Sequence, residues 1–206
     1  MTCPREGRLS VGDAYFVRRG AVLDWFHKAW QQDPVISALW QLKLKPERVL
    51  EIGCANGWRL DRIKELFGCH CCGVDPSQVA ITSGRFSMHR DIEFRNSTAC
   101  DLGEGTYDVV IFGFCLYLCR REDLFKAAYE ADRVLEDGGH LVIYDFHPEN
   151  DYSNGCPDED QSNYKMQYFN MFVWHPYYRI VHRNVFRNPE EPTENLSVYI
   201  FQKKSF

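Results

Sequence analysis

The densest chemical signal in the chain is the run Gly53-Cys54-Ala55-Asn56-Gly57, which directly follows the apolar segment Val49-Leu50-Glu51-Ile52. Glycine lets a backbone pass close to a ligand, and a helix that starts after such a turn offers unpaired N–H groups. Asp75 ends a second apolar segment, Gly73-Val74-Asp75. An acid at that point can accept both hydroxyls of a ribose. It can equally cap a helix that begins with Pro76 and Ser77. Asp145 and His147 lie just past a later apolar segment. Histidine titrates near neutrality and suits general-base work. The alternative for His147 is a surface histidine before Pro148. His175, within Trp174-His175-Pro176-Tyr177-Tyr178, carries the same two readings.

Alternating strands and helices are needed to bring these groups together. Arg48 to Ile52, Cys69 to Val74, Ile92 to Arg95, Tyr107 to Phe112 and His140 to Tyr144 read as short strands. The fourth is nearly all apolar, as expected of a strand buried on both faces. Trp58 to Phe67, Pro76 to Phe86 and Arg121 to Leu135 read as the helices between them, with Gly138-Gly139 ending the last. This alternation predicts an α/β fold with a doubly wound parallel sheet. Ala14 to Leu44 is a helical lead-in, divided at Asp33-Pro34 because a residue before proline avoids helical geometry. Arg179 to Phe186 and Leu196 to Gln202 are joined by a loop too short for a crossover helix, which predicts an antiparallel hairpin closing the five parallel strands. Phe146 to Tyr178 fits neither pattern and reads as a mobile or partly helical cap.

Composition narrows the classes. The chain has 206 residues, 45% hydrophobic and 26% charged, with a formal net charge of −5. That is one globular domain without the basic footprint of a phosphate-backbone binder. No apolar run approaches the ~18 residues of a membrane span, and the first residues lack a signal-peptide apolar region, so a cytoplasmic location is expected. Nine cysteines, an odd number, read as free thiols in a reducing compartment. Cys69-His70-Cys71-Cys72 is dense, but neighbouring strand residues point to opposite faces and do not converge on one ion. No metal is expected. A dinucleotide reading fails on the glycine count, because Ala55 and Trp58 stand where the second and third glycines of G-x-G-x-x-G belong.

Glu51-Ile52-Gly53-Cys54-Ala55-Asn56-Gly57 resembles the E/D-x-G-x-G-x-G signature of the class I S-adenosylmethionine-dependent methyltransferases, small-molecule type. Asp75 is similar to their ribose acid. Cys100-Asp101-Leu102 is similar to the segment at the adenine edge. Tyr107-Asp108-Val109-Val110 resembles their fourth strand, and Arg133 to Leu141 their R-x-L-K-P-G-G-x-L run. The segments occur in family order over Arg48 to Asp145, about half the chain. Ala55 departs from the pattern at the middle glycine and puts the turn's geometry in question. The resemblance implies a Rossmann-like fold with S-adenosylmethionine as cofactor and S-adenosylhomocysteine as product. It implies that Glu51 organises the turn and meets the methionyl ammonium. Gly53, Cys54, Ala55, Asn56 and Gly57 would lie along the methionine. Asp75, Pro76 and Ser77 would hold the ribose, Asp101 and Leu102 would flank adenine, and Phe112, Gly113 and Phe114 would close the fourth-strand exit.

Position after the fourth strand narrows the acceptor. Gly113-Phe114-Cys115-Leu116-Tyr117 is neither the (D/N)-P-P-(Y/F) of base-amino enzymes nor a Pro-Cys nucleophile. A small-molecule acceptor remains, expected to be a hydroxyl of a sugar or natural product. His147, Asp145 and His175 are the candidate catalytic groups. Tyr15, Arg18, Arg19 and Trp174 are the candidate substrate contacts, with a solvated face as the alternative for the arginine pair. The aromatic run from Tyr164 to Tyr178 is either core or acceptor wall. The expected organisation is one domain with four parts: a helical cap (1–47), a cofactor core (48–145), a substrate cap (146–178) and a C-terminal hairpin (179–206). A non-catalytic binding subunit and a nicotinamide-dependent oxidoreductase are the competing functions.

Overall fold

The structure is a computed structural model that describes residues 10, 12–18, 33–87, 91–154 and 163–205. Arg19 and the lead-in markers Val22, Trp25, Phe26 and Trp30 lie outside the described residues. Residues 12–18 are helical. Helix α1 (Pro34–Gln41) follows, with Asp33 as its N-cap: Asp33 Oδ1 accepts the Ile36 N–H at 2.9 Å. Proline at the first helical position has no N–H to lose there. The expected break at Asp33-Pro34 is therefore a helix start.

Seven strands make the main sheet. In chain order they are β1 (Arg48–Ile52), β2 (His70–Asp75), β3 (Glu93–Asn96), β4 (Tyr107–Gly113), β5 (Leu135–Phe146), β8 (Tyr178–Arg187) and β9 (Asn195–Lys203). Their spatial order is β3-β2-β1-β4-β5-β9-β8. The first five run parallel, and β9 pairs antiparallel with both β5 and β8. The predicted doubly wound sheet closed by a hairpin is thus present. The strand order reverses between β1 and β4, where Ile52 pairs with Phe112. Ligand crevices in open α/β sheets form at such a reversal, beyond the strand C-termini.

Helices α2 (Trp58–Phe67), α3 (Gln78–Ser87) and α4 (Leu124–Val134) connect the parallel strands. Leu60 and Ile63 of α2 and Ala127, Ala131 and Val134 of α4 are buried, as their helical spacing demands. Helix α3 starts two residues later than the sequence suggests. Ser77 Oγ accepts the Ala80 N–H at 3.0 Å, so Ser77 caps the helix and Pro76 precedes the cap. Helix α4 ends at Val134 instead of at the glycine pair. Leu135 already pairs with Tyr107, and Gly138 and Gly139 lie inside a register shift of β5.

Residues 146–178 hold a small antiparallel pair, β6 (Tyr152–Asn154) with β7 (Asn163–Lys165), and a short helix α5 (Asn170–Val173). Aromatic packing fixes this segment on the outer strands. Phe169 stacks on Tyr199 at 3.8 Å between centroids, and Phe172 meets Tyr178 and Phe201. Tyr168, Phe172 and Tyr178 are buried while Trp174 and Tyr177 are exposed, which favours the core reading of the aromatic run. No helix among the described residues is long and apolar enough to cross a membrane.

Candidate active site

A cleft of about 480 Å³ opens at the strand reversal. Its walls come from the β1–α2 turn (Gly53, Cys54, Ala55), the end of β2 (Val74, Asp75, Pro76), residues 97–100, the exit of β4 (Gly113, Phe114, Cys115) and the helical segment 12–18. Gly53 has φ +75°, and a Cβ there would overlap Cys115. Cys115 is thereby explained as packing, with its thiol donating to the Ile52 carbonyl at 3.2 Å. Ala55 occupies the middle glycine's place at φ +50°. A left-handed alanine costs roughly 1–2 kcal/mol. Asp75 Oδ2 offsets this by accepting the Ala55 N–H at 2.8 Å, while Asp75 Oδ1 accepts the Ser77 N–H at 2.8 Å. The turn therefore keeps its shape without the glycine. Burial raises the Asp75 carboxyl above its ordinary value, against the pull of these two N–H groups.

At the far end of the cleft stands a buried ionic cluster that the sequence did not announce. Arg59 donates through Nη1 to Glu51 Oε1 and through Nε to Asp33 Oδ2, the latter at 3.1 Å. The rings of Trp58 and Tyr144 lie 4.7 and 5.5 Å from its guanidinium carbon. Glu51 is fully buried, and its Oε2 has no hydrogen-bond partner. Burial pushes its carboxyl up to about 7, although the Arg59 charge and hydrogen bond pull it down. Gly113 makes room for the pair, since a Cβ there would strike Glu51 Oε1 and sit 3.0 Å from Arg59 Nη1. Phe114 is held at φ +64° among Tyr117, Tyr144 and Phe146, with ring centroids 4.9–5.1 Å away. A bulky residue in that region is strained, and such strain clusters at ligand sites.

The cleft is lined by an acid from each of two neighbouring strands, a turn that lets a ligand lie against backbone, and an unpaired buried carboxylate oxygen. These features fit a nucleoside that carries a cationic amino-acid tail. Residues 49–139 match the family model described as a methyltransferase domain. Over that stretch, less than half of the chain, the sequence is similar to a methyltransferase domain.

The fold agrees over most of the chain. The 1,6-didemethyltoxoflavin-N1-methyltransferase of Burkholderia thailandensis, solved with 1,6-didemethyltoxoflavin and S-adenosylhomocysteine, superposes with a TM-score of 0.70 at 16% identity. That superposition covers 98% of this chain and 95% of that one. The N-methyltransferase NodS from Bradyrhizobium japonicum, in complex with S-adenosyl-L-homocysteine, gives 0.65 at 18% identity, over 85% and 92%. At these identities the likeness is one of fold. An uncharacterized protein of Haemophilus influenzae is 26% identical over 106 residues, which is 48% of this chain and 42% of that protein. The chain thus matches less than half the length of that curated relative.

Against the methyltransferase domain the predicted site residues divide. Glu51, Gly53, Cys54, Ala55, Asp75, Pro76, Gly113, Phe114 and Tyr15 line the cleft. Asn56, Gly57, Ser77 and Phe112 support it from behind. Gly57 packs on the Phe94 ring, and Ser77 and Phe112 are buried. Asp101 and Leu102 are not cleft residues. Asp101 Oδ1 accepts the Gly103 N–H and Leu102 is fully buried, whereas Ser97, Thr98, Ala99 and Cys100 face the cleft. The acid of the Asp-Leu pair drew the expectation a few residues too far along the loop.

The catalytic candidates are not brought to the cleft. Asp145 is buried, accepting the Leu116 and Phe146 N–H groups at 2.9 and 2.8 Å, and so holds the turn at Leu116–Leu118. Burial pushes its carboxyl up to about 7. His147 lies beside the stacked pair of Phe169 and Tyr199, on the side of the outer strands, and its Nδ1 is buried with no partner. Burial and the Arg183 charge lower its basicity. His175 and Trp174 sit after α5, with Trp174 exposed, because aromatic packing ties that segment to β8 and β9. Arg18 lies over the Tyr15 ring and is exposed. Among the described residues no three metal-ligating side chains converge.

Proposed function

We propose that this protein transfers a methyl group from S-adenosylmethionine to a small-molecule acceptor. The observation that carries this reading is the cleft at the strand reversal, lined by Asp75 and by Glu51, whose Oε2 is unpaired. When bound, the sulfonium supplies an activated methyl group, so the protein's task is chiefly orientation. Asp75, already fixed by two backbone N–H groups, keeps lone pairs for ribose hydroxyls. Glu51 offers Oε2 to the ammonium. Residues 97–100 make the adenine wall, and Thr98, Ala99 and Cys100 replace Asp101 and Leu102 in that role. Phe114 and Tyr15 border the face on which the acceptor sits.

The proton carriers near the cleft, Asp123 among them, bear on the choice of acceptor. Among the described residues that line the cleft there is no histidine, and burial holds the thiols of Cys54, Cys115 and Cys119 in the neutral form. This supports an acceptor that is already nucleophilic, such as a ring or side-chain amine. The hydroxyl acceptor expected from sequence is the second reading. It is favoured by the Tyr15 and Tyr117 hydroxyls, which lie 2.6 Å apart and can pass a proton between them. We assign the helical segment 12–18 as part of the acceptor cover. The substrate-cap role given to 146–178 loses support, because no described residue of it lines the cleft.

A labelled methyl-transfer screen against metabolite extracts tests the reading. Label from S-adenosylmethionine should move into a small molecule, and the carbon-13 chemical shift of the transferred methyl separates N- from O-methylation. A folded, cofactor-loaded protein that labels nothing across such extracts would favour the binding-subunit alternative.

A further inference from the structure

Asp33, Arg59 and Glu51 form a cluster with an uneven distribution of hydrogen bonds. Their side chains are 2%, 5% and 0% exposed. A guanidinium fork matches a carboxylate two bonds to two, and this bidentate pairing is the favoured one. Here Glu51 receives a bond through Oε1 alone, and Oε2 has none. The reason is Asp33, which takes the Nε of Arg59 and turns the fork away from a second bond to Glu51. Among the described residues no hydrogen bond uses Arg59 Nη2. A buried, unpaired carboxylate oxygen is costly, so a protein that keeps one has a group to meet it. Arg59 and Glu51 both line the cleft. With two carboxylates to one guanidinium, the cluster is left with an acceptor for a cation beside a donor for an anion. That is the charge pattern of an α-amino acid.

We infer that Asp33 is a positioning residue that, through Arg59, holds this end of the cleft open as a receptor for a zwitterionic amino-acid group. Glu51 Oε2 accepts the ammonium and Arg59 donates to the carboxylate. Once Asp33 is neutralised, Arg59 and Glu51 close on each other and the ammonium contact at Oε2 is lost. This inference rests on the proposed cofactor, whose amino-acid end it would hold.

Two nucleosides separate the inference from that reading. S-adenosylhomocysteine carries the amino-acid group, and 5′-methylthioadenosine has the same nucleoside and sulfur without it. Calorimetric titration of both into wild type, Asp33→Asn and Arg59→Lys reads the difference. Asparagine keeps the acceptor that caps α1. Asp33→Asn and Arg59→Lys should each weaken S-adenosylhomocysteine roughly tenfold, the loss of one charge-assisted contact, and leave methylthioadenosine affinity unchanged. Parallel loss of both ligands, or no loss of either, would overturn the inference, as would equal wild-type affinity for the two. If Asp33→Asn does not fold, Arg59→Lys carries the comparison alone. Wild type that binds neither nucleoside overturns the cofactor reading itself.

Discussion

Asp75 Oδ2 accepts the backbone N–H of Ala55 at 2.8 Å, and this bond joins the acid of β2 to the one left-handed alanine of the cofactor turn. The same side chain therefore serves the turn and the ligand. Asp75→Ala should weaken S-adenosylhomocysteine binding about tenfold to a hundredfold, on the scale of a charge-assisted hydrogen bond, and should also lower the melting temperature. Ala55→Gly should leave affinity intact, since glycine takes φ +50° without strain. Calorimetry and thermal melts on the two variants check this pair. An Asp75→Ala protein with wild-type affinity would show that the ribose is held elsewhere.

Gly113 is the second position where a side chain has no room. Its Cβ would collide with Glu51 Oε1 and approach Arg59 Nη1. Gly113→Ala should disrupt the ionic cluster and cost at least tenfold in S-adenosylhomocysteine affinity, about 1.4 kcal/mol. The loss should be smaller for methylthioadenosine. Equal tolerance of alanine at Gly113 would mean that the cluster is not engaged by the ligand.

The pH behaviour follows from two buried carboxyls. Glu51 rises from an ordinary 4.5, and Asp145 from 3.8, each to about 7. Across that window the folded protein holds protons that the unfolded chain has released, so their joint contribution to stability falls as pH rises from about 4 to 7. Cofactor affinity should run the other way, because Glu51 meets an ammonium best when ionised, and should increase through pH 7. Melting curves and calorimetric titrations between pH 5.5 and 8 read the two trends. Glu51→Gln should lower the affinity and flatten its pH dependence. An affinity independent of pH in wild type would contradict the role given to Glu51.

On the acceptor side the expectation moves from His147 to Tyr15. His147→Ala should keep turnover, because His147 stacks with Phe169 and Tyr199 outside the cleft. For a hydroxyl acceptor, Tyr15→Phe should lower kcat/KM about 10²-fold, the lower end for loss of a proton-transferring group; for an amine acceptor it should not. Assays with the acceptor found by labelled transfer compare the two. A His147→Ala protein that loses turnover while keeping cofactor affinity would return the base to His147.

The fold was legible because its signals are local. Apolar strands such as Val109–Phe112, the Asp33-Pro34 start and the Gly57 and Gly68 boundaries of α2 each follow from residue type and neighbour. Glu51, Gly53 and Asp75, which line the cleft, were legible for the same reason, since they lie at or just past strand ends. Arg59 was not, because an arginine in a helix reads as solvated until Asp33, 26 residues earlier, is known to pack against it. The placement of His147 and His175 failed on tertiary grounds. Stacking of Phe169 on Tyr199 draws residues 146–178 toward the outer strands, and no spacing rule foretells which side of a sheet a long connection will cover.

The proposed function requires that this cleft bind the methyl donor. Calorimetric titration of S-adenosylhomocysteine into the purified protein, with NADH as the comparison, tests it most directly. The expected result is a dissociation constant in the micromolar range or tighter, about −8 kcal/mol at 1 μM, with no heat from NADH. A folded protein that shows no binding at millimolar S-adenosylhomocysteine, or that prefers NADH, would contradict it.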